Sequence, residues 1–198
     1  MSSLKTHENI LPIDLIQAIR MYVGQKHDHQ SSYAIWDRNL ILNSSPVIIF
    51  KLPEDLAKAV IDFVKVAFEI EMEVVTVLYQ AWPKLSYIAW HDDNGYNKAI
   101  TIYLNEYWDI NWGGYFAYER NQIIECIKPS FNKAIQIEAP LSHAVFSTTI
   151  DAPIRETLQI FIKDESLKTG DGDERNKRST QSSRVHIKKR TKTRKSKS

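Results

Sequence analysis

Tyr87-Ile88-Ala89-Trp90-His91-Asp92-Asp93 is the stretch on which the fold of this chain turns. Successive side chains of a β-strand point to opposite faces, so this stretch is expected to put His91 and Asp93 on one face and turn Asp92 away. An imidazole and a carboxylate so placed can hold one metal ion between them. A third ligand, His143, follows much later, with Arg155 beyond it. Two histidines and a carboxylate bind one face of an octahedral Fe(II) and leave the opposite positions open, which a closed four-ligand structural site does not. Open positions suit a metal that must hold a chelating cosubstrate and dioxygen together. The first expectation is therefore an oxygenase.

For His143 to meet His91 the intervening chain must fold back on itself, and residues 94–142 read as a run of hairpins. Strands are expected over 99–105, 115–118, 123–127 and 134–137, with Gly113-Gly114 as a hairpin turn. His143 opens another strand through 146, and Arg155 opens the last, through 162. A sheet rolled on itself brings the separated ligands side by side.

The ordered set His91-Asp92-Asp93, Tyr103-Leu104-Asn105, Trp108-Asp109, Gly113-Gly114, Pro129, Phe131-Asn132, His143 and Arg155 resembles the prolyl-4-hydroxylase-type Fe(II)/2-oxoglutarate-dependent dioxygenases. The resemblance covers about residues 79 to 162 in unbroken order. It implies an α+β, mainly β fold: a double-stranded β-helix, or jelly roll, with N-terminal supporting helices. It implies Fe(II) at His91, Asp93 and His143, 2-oxoglutarate and O2 as cosubstrates, and ascorbate as a supporting reductant. Arg155 would bind the distal carboxylate of 2-oxoglutarate, with Tyr103 donating its hydroxyl to the same group. The reaction implied is hydroxylation of a substrate C–H with release of succinate and CO2, on a protein or peptide side chain such as proline. Halogenating relatives need a small residue where Asp93 stands, so hydroxylation is favoured.

The residues agree independently. A guanidinium is planar, permanently charged and able to hold a carboxylate through two parallel hydrogen bonds, which suits Arg155 to a dicarboxylate better than a lysine. Tyr79, Trp90 and Trp112 are further candidates for a substrate or cosubstrate pocket. Trp108 reads as packing, as do Trp90 and Trp112 on the plainer view. Of the six histidines, His7, His27, His29 and His186 read as satisfied polar residues, not ligands. Alternative functions are hydroxylation of a free amino acid or small metabolite, or a non-catalytic jelly-roll adaptor bound to nucleic acid. A zinc hydrolase could use the same triad, but it would not need Arg155.

The 198 residues and 43% apolar content suit one domain with appendages. A single cysteine, Cys126, excludes an intramolecular disulfide, and a reducing, cytoplasmic setting is the simplest reading. No stretch has the apolar length of a membrane span or a secretory h-region. Apolar spacing predicts a helix after Pro12 that ends at Gly24, and a second beginning at Pro53-Glu54-Asp55. Short strands are expected at 33–36 and 46–50, and a long one over 69–80. Residues 1–164 are expected to form the dioxygenase domain, with a jelly-roll core over about 70–164. Residues 165–198 carry 12 Lys and Arg against 4 Asp and Glu, leaving the body near −6 and the tail near +8. Without aromatics, this tail reads as disordered, and residues 184–198 as a contact for RNA, ribosomes or another anionic partner, or as a solubilising extension or one that folds back weakly on the acidic body.

Overall fold

The computed structural model describes residues 3–25, 31–35, 40–93, 95–163 and 186–189. Twelve strands and two helices occur among them, in the order β1 (Leu4–His7), α1 (Ile13–Gln25), β2 (Ser31–Ile35), β3 (Ile48–Lys51), α2 (Glu54–Phe68), β4 (Glu73–Trp82), β5 (Ile88–His91), β6 (Lys98–Tyr103), β7 (Phe116–Arg120), β8 (Ile123–Ile127), β9 (Ala134–Glu138), β10 (His143–Val145), β11 (Arg155–Lys163) and β12 (His186–Lys189). A major sheet runs β1-β9-β6-β11-β4-β3-β2-β12, and a minor sheet β5-β10-β7-β8. All pairings are antiparallel. This is the α+β, mainly β jelly roll expected from the sequence.

Strand alternation decides what each face of the major sheet does. Val77, Tyr79 and Ala81 of β4, Ile100 and Ile102 of β6, and Leu158, Ile160 and Ile162 of β11 share one core with Ile16, Ile19 and Val23 of α1 and Val60, Val64 and Phe68 of α2. The intervening residues face the minor sheet. Ala99, Tyr103, Ile135, Ile137 and Phe161 meet Phe116 and Tyr118 there, and Ile49, Leu78 and Trp82 meet Ile88. The helices thus stiffen the sheet from behind while the cleft in front stays free for chemistry. α2 begins after Pro53 with Glu54 and Asp55 in its first turn, where acids complement the helix dipole, and closes on Glu69 in the left-handed conformation. α1 continues through Gly24 to Gln25, since its buried face outweighs the weak helix propensity of one glycine.

The first strand is unforeseen by the sequence reading: Leu4–His7 is too short to show a pattern, and pairing with β9 creates it. The same end is secured by Asn132, which is 2% exposed and accepts from Leu11 N at 2.9 Å while donating to Leu11 O at 2.7 Å. Asn132 has φ +54°, a conformation asparagine tolerates better than most residues. Asn132→Ala strands two buried backbone groups and is expected to cost about 2–4 kcal/mol, read from urea unfolding.

His186–Lys189, inside the segment read as a disordered tail, pairs with β2 as the last strand of the major sheet. An otherwise open edge strand offers unpaired backbone groups to any extended segment, which composition alone does not reveal. The rest of residues 164–198 lies outside the described residues, as do His27 and His29. No described helix is long and apolar enough to cross a membrane.

Candidate metal and cosubstrate site

β5 and β10 are neighbours in the minor sheet, and their register sets His91 directly opposite His143. The pairing steps three residues along β5, from His91 to Ile88, for two along β10, from His143 to Val145. Such a bulge re-aims side chains, and here it lets Ile88 and His91 both line the interior cleft although strict alternation would separate them. Asp93 does not lie on the strand as expected: β5 ends at His91, and the chain turns so that Asp93 O accepts from Tyr96 N at 2.9 Å. The turn still delivers the carboxylate. Asp93 Oδ1 lies 3.9 Å from His91 Nε2, and Oδ2 lies 3.7 Å from His143 Nε2.

Both imidazoles are oriented alike. His91 Nδ1 is 2.8 Å from Ala89 O, and His143 Nδ1 is 2.9 Å from Leu141 O. A carbonyl only accepts, so each Nδ1 carries a proton, which leaves Nε2 as the ring atom turned toward a metal. Burial lowers the His143 pKa, Asp93 opposing it, which favours the neutral ligand form. One ligand atom from each of the three residues lies within 4.8 Å of the others. Two imidazoles and one carboxylate fit a divalent iron, and the three are a candidate metal site.

The same cleft runs from this cluster to Arg155 and Tyr103. Arg155 is 2% exposed, and among the described residues no carboxylate pairs with it. Its Nη1 donates to Gly114 O at 2.6 Å, and its Nε has no hydrogen-bond partner. Burial pushes Arg155 down to about 10, partly offset by Tyr103, and pushes Tyr103 up to about 12. Both therefore stay protonated near neutral pH, as donors. Between the two ends the wall is built from Gln80, Thr101, Thr157 and Gln159, then Ile88, Ala99, Phe116, Ile137, Val145 and Phe161.

Gly113-Gly114 is not the hairpin turn expected. Gly113 bridges antiparallel to Thr148, and Gly114 N donates to Ser147 O at 3.1 Å, so the segment extends the β7–β10 register and runs alongside the chain that leaves β10. Both glycines have φ +67°, and a Cβ on Gly113 would sit 2.5 Å from Ser147 O. This pairing places the Gly114 carbonyl against Arg155.

Three of the sequence candidates fall elsewhere. Tyr79 faces the helix layer, where its hydroxyl donates to Glu156, itself 3.6 Å from Arg20 of α1. Burial, followed by Glu156, raises its pKa. Trp90 is 39% exposed and packs edge-on against Phe146. Trp112 packs against Tyr107 and Trp108. None of the three lines the cleft, since each occupies the alternate face or a connecting segment. Trp82 does line it. It escaped the sequence reading because the long strand was ended at Gln80, whereas β4 continues two residues with Leu78, Gln80 and Trp82 on the inner face.

No protein-family model matches this chain, and no curated protein sequence does. Solved structures do. A prolyl-4-hydroxylase from Pseudomonas putida is 14% identical, with a TM-score of 0.62 over 81% of this chain and 92% of its own. A prolyl hydroxylase from Trichoplax adhaerens, solved with a peptide fragment of the hypoxia inducible factor oxygen degradation domain, is 15% identical, with a TM-score of 0.65 over 82% and 84%. The non-heme alpha-ketoglutarate-dependent epimerase SnoN of nogalamycin biosynthesis is 7% identical, with a TM-score of 0.61 over 81% and 77%. The fold is therefore that of the Fe(II)/2-oxoglutarate oxygenases of prolyl-4-hydroxylase type. Since the same fold carries an epimerase, the reaction must be argued from the site.

Proposed function

We propose that this protein is an Fe(II)- and 2-oxoglutarate-dependent dioxygenase that hydroxylates a protein or peptide side chain, with release of succinate and CO2. The observation that carries this reading is a buried guanidinium without a carboxylate partner, in one cleft with two free imidazole nitrogens and a carboxylate. An unpaired buried cation is costly, and a dicarboxylate cosubstrate supplies its missing anion. A zinc hydrolase has no use for that anion.

His91, Asp93 and His143 would hold the iron, which when bound supplies the dioxygen chemistry that no side chain can provide. Arg155 would hold the distal carboxylate through charge-assisted hydrogen bonds, and Tyr103 would donate its phenolic proton to the same group. The protonated Nδ1 atoms, tied to Ala89 O and Leu141 O, fix both imidazole planes before any ligand arrives. Ile88, Phe116, Ile137, Val145 and Phe161 exclude water around the reacting carbon, protecting it from side reactions. In overall balance one substrate C–H, one 2-oxoglutarate and one O2 give C–OH, succinate and CO2.

The peptide-bound neighbour supports a protein or peptide substrate, with proline the leading residue. All the proposed site residues precede Asp164, which supports residues 1–164 as the catalytic unit, with His186–Lys189 of the remaining segment adding an edge strand to its major sheet. A cytoplasmic setting, ascorbate as supporting reductant and an anionic partner such as RNA for residues 184–198 complete the reading, the last on charge alone. Incubation of iron-loaded full-length protein with peptide libraries and a separate pool of free amino acids, followed by mass spectrometry, tests the substrate class. One added oxygen on a peptide is expected; addition only to free amino acids would overturn it.

A further inference from the structure

Arg155 is held by groups that carry no full charge. Its Cζ lies 4.3 Å from the centroid of the Trp82 ring, and Nη1 is bonded to Gly114 O at 2.6 Å. Trp82 stands directly opposite Arg155 in the β4–β11 pairing and is 4% exposed. Its Nε1 donates to Thr157 Oγ1 at 3.1 Å, so the ring is fixed by its strand and by a side-chain bond. There is little slack beside Gly114: a Cβ there would meet Thr148 Cγ2 at 2.9 Å and Arg155 Nη1 at 3.1 Å.

We propose that Trp82 is a positioning residue for the cosubstrate, its ring face holding the Arg155 guanidinium so that the edge left free by Gly114 is presented to a distal carboxylate. This rests on the 2-oxoglutarate reading of the cleft. A guanidinium binds a carboxylate in its own plane, so whatever fixes that plane fixes the approach of the ligand. An aromatic face attracts the cation through its quadrupole and takes none of its N–H groups. A carboxylate in the place of Trp82 would instead pair with Arg155 and compete with the cosubstrate. The arrangement therefore favours ligands with a distal carboxylate over 2-oxo acids that lack one.

Titration calorimetry of Mn(II)-loaded full-length protein with 2-oxoglutarate and with 2-oxobutyrate, which keeps the 2-oxo acid but has no distal carboxylate, separates the two ends of the ligand. Trp82→Leu is expected to weaken 2-oxoglutarate roughly tenfold while leaving 2-oxobutyrate and Mn(II) affinity unchanged. Trp82→Phe keeps a ring face and should recover most of the loss. If Trp82→Leu does not fold, Trp82→Met is judged by the same ratio of affinities. An unchanged ratio in the ringless variant, or equal weakening of both ligands, overturns the role of Trp82. A wild-type protein that binds no 2-oxoglutarate in the presence of Mn(II) overturns the reading of the cleft itself.

Discussion

Replacing His143 with alanine is expected to abolish metal-dependent turnover and to lower Fe(II) or Mn(II) affinity more than roughly 100-fold. Residues that merely orient a metal ligand already cost about 10- to 100-fold when removed, and His143 is proposed as one of only three direct ligands. It is 4% exposed, lies opposite His91 and has its Nδ1 committed to Leu141 O, so no neighbouring histidine among the described residues can replace its Nε2. Metal titration and oxygen uptake read the two effects separately. His7 is the control: it packs edge-on against Phe68, 4.5 Å between centroids, and His7→Ala should leave metal affinity untouched. Wild-type metal binding by His143→Ala would remove the triad from the site.

Arg155→Ala is expected to weaken 2-oxoglutarate by about 30- to 4000-fold with metal affinity preserved. Truncating one partner of a buried charge pair costs about 2–5 kcal/mol, because the other charge is left desolvated and unpaired. The free protein should lose less than a buried arginine normally would, since its guanidinium has no carboxylate to abandon and its burial is itself unfavourable. Arg155→Lys should rescue only part, as an ammonium has no fork to match a carboxylate while also reaching Gly114 O. Parallel titrations of metal and 2-oxoglutarate decide it. Equal 2-oxoglutarate affinity in wild type and Arg155→Ala would refute the anchor.

The centre of this fold was legible because the major-sheet strands that line the cleft alternate. Arg155, Thr157, Gln159 and Phe161 fall on one face at two-residue spacing, and β6, β8, β9, β10 and β11 stand within a residue or two of the stretches read for them. The candidate ligand set was legible for a chemical reason: few patterns other than a metal site place His91, Asp93, His143 and Arg155 in that order. What escaped depends on contacts that sequence spacing does not encode. The β5 bulge and the pairing of Gly113-Gly114 with Ser147 and Thr148 depend on β10 and the residues just after it, which are distant in the chain. Tyr79 and Trp82 show the limit on a single strand. Both are aromatic residues of β4, and only knowing where the strand ends and which face the helices cover separates a helix-side tyrosine from a cleft-lining tryptophan.

The histidine–aspartate cluster and Arg155 are proposed to serve one reaction. This is tested most directly by following 2-oxoglutarate in the presence of purified full-length protein, Fe(II) and air, with succinate detected by NMR. Succinate is expected to form slowly even without substrate, to require both Fe(II) and oxygen, and to disappear in His143→Ala. Folded, iron-loaded wild-type protein that leaves 2-oxoglutarate intact with and without candidate peptides, or succinate formation equal in wild type and His143→Ala, would contradict it.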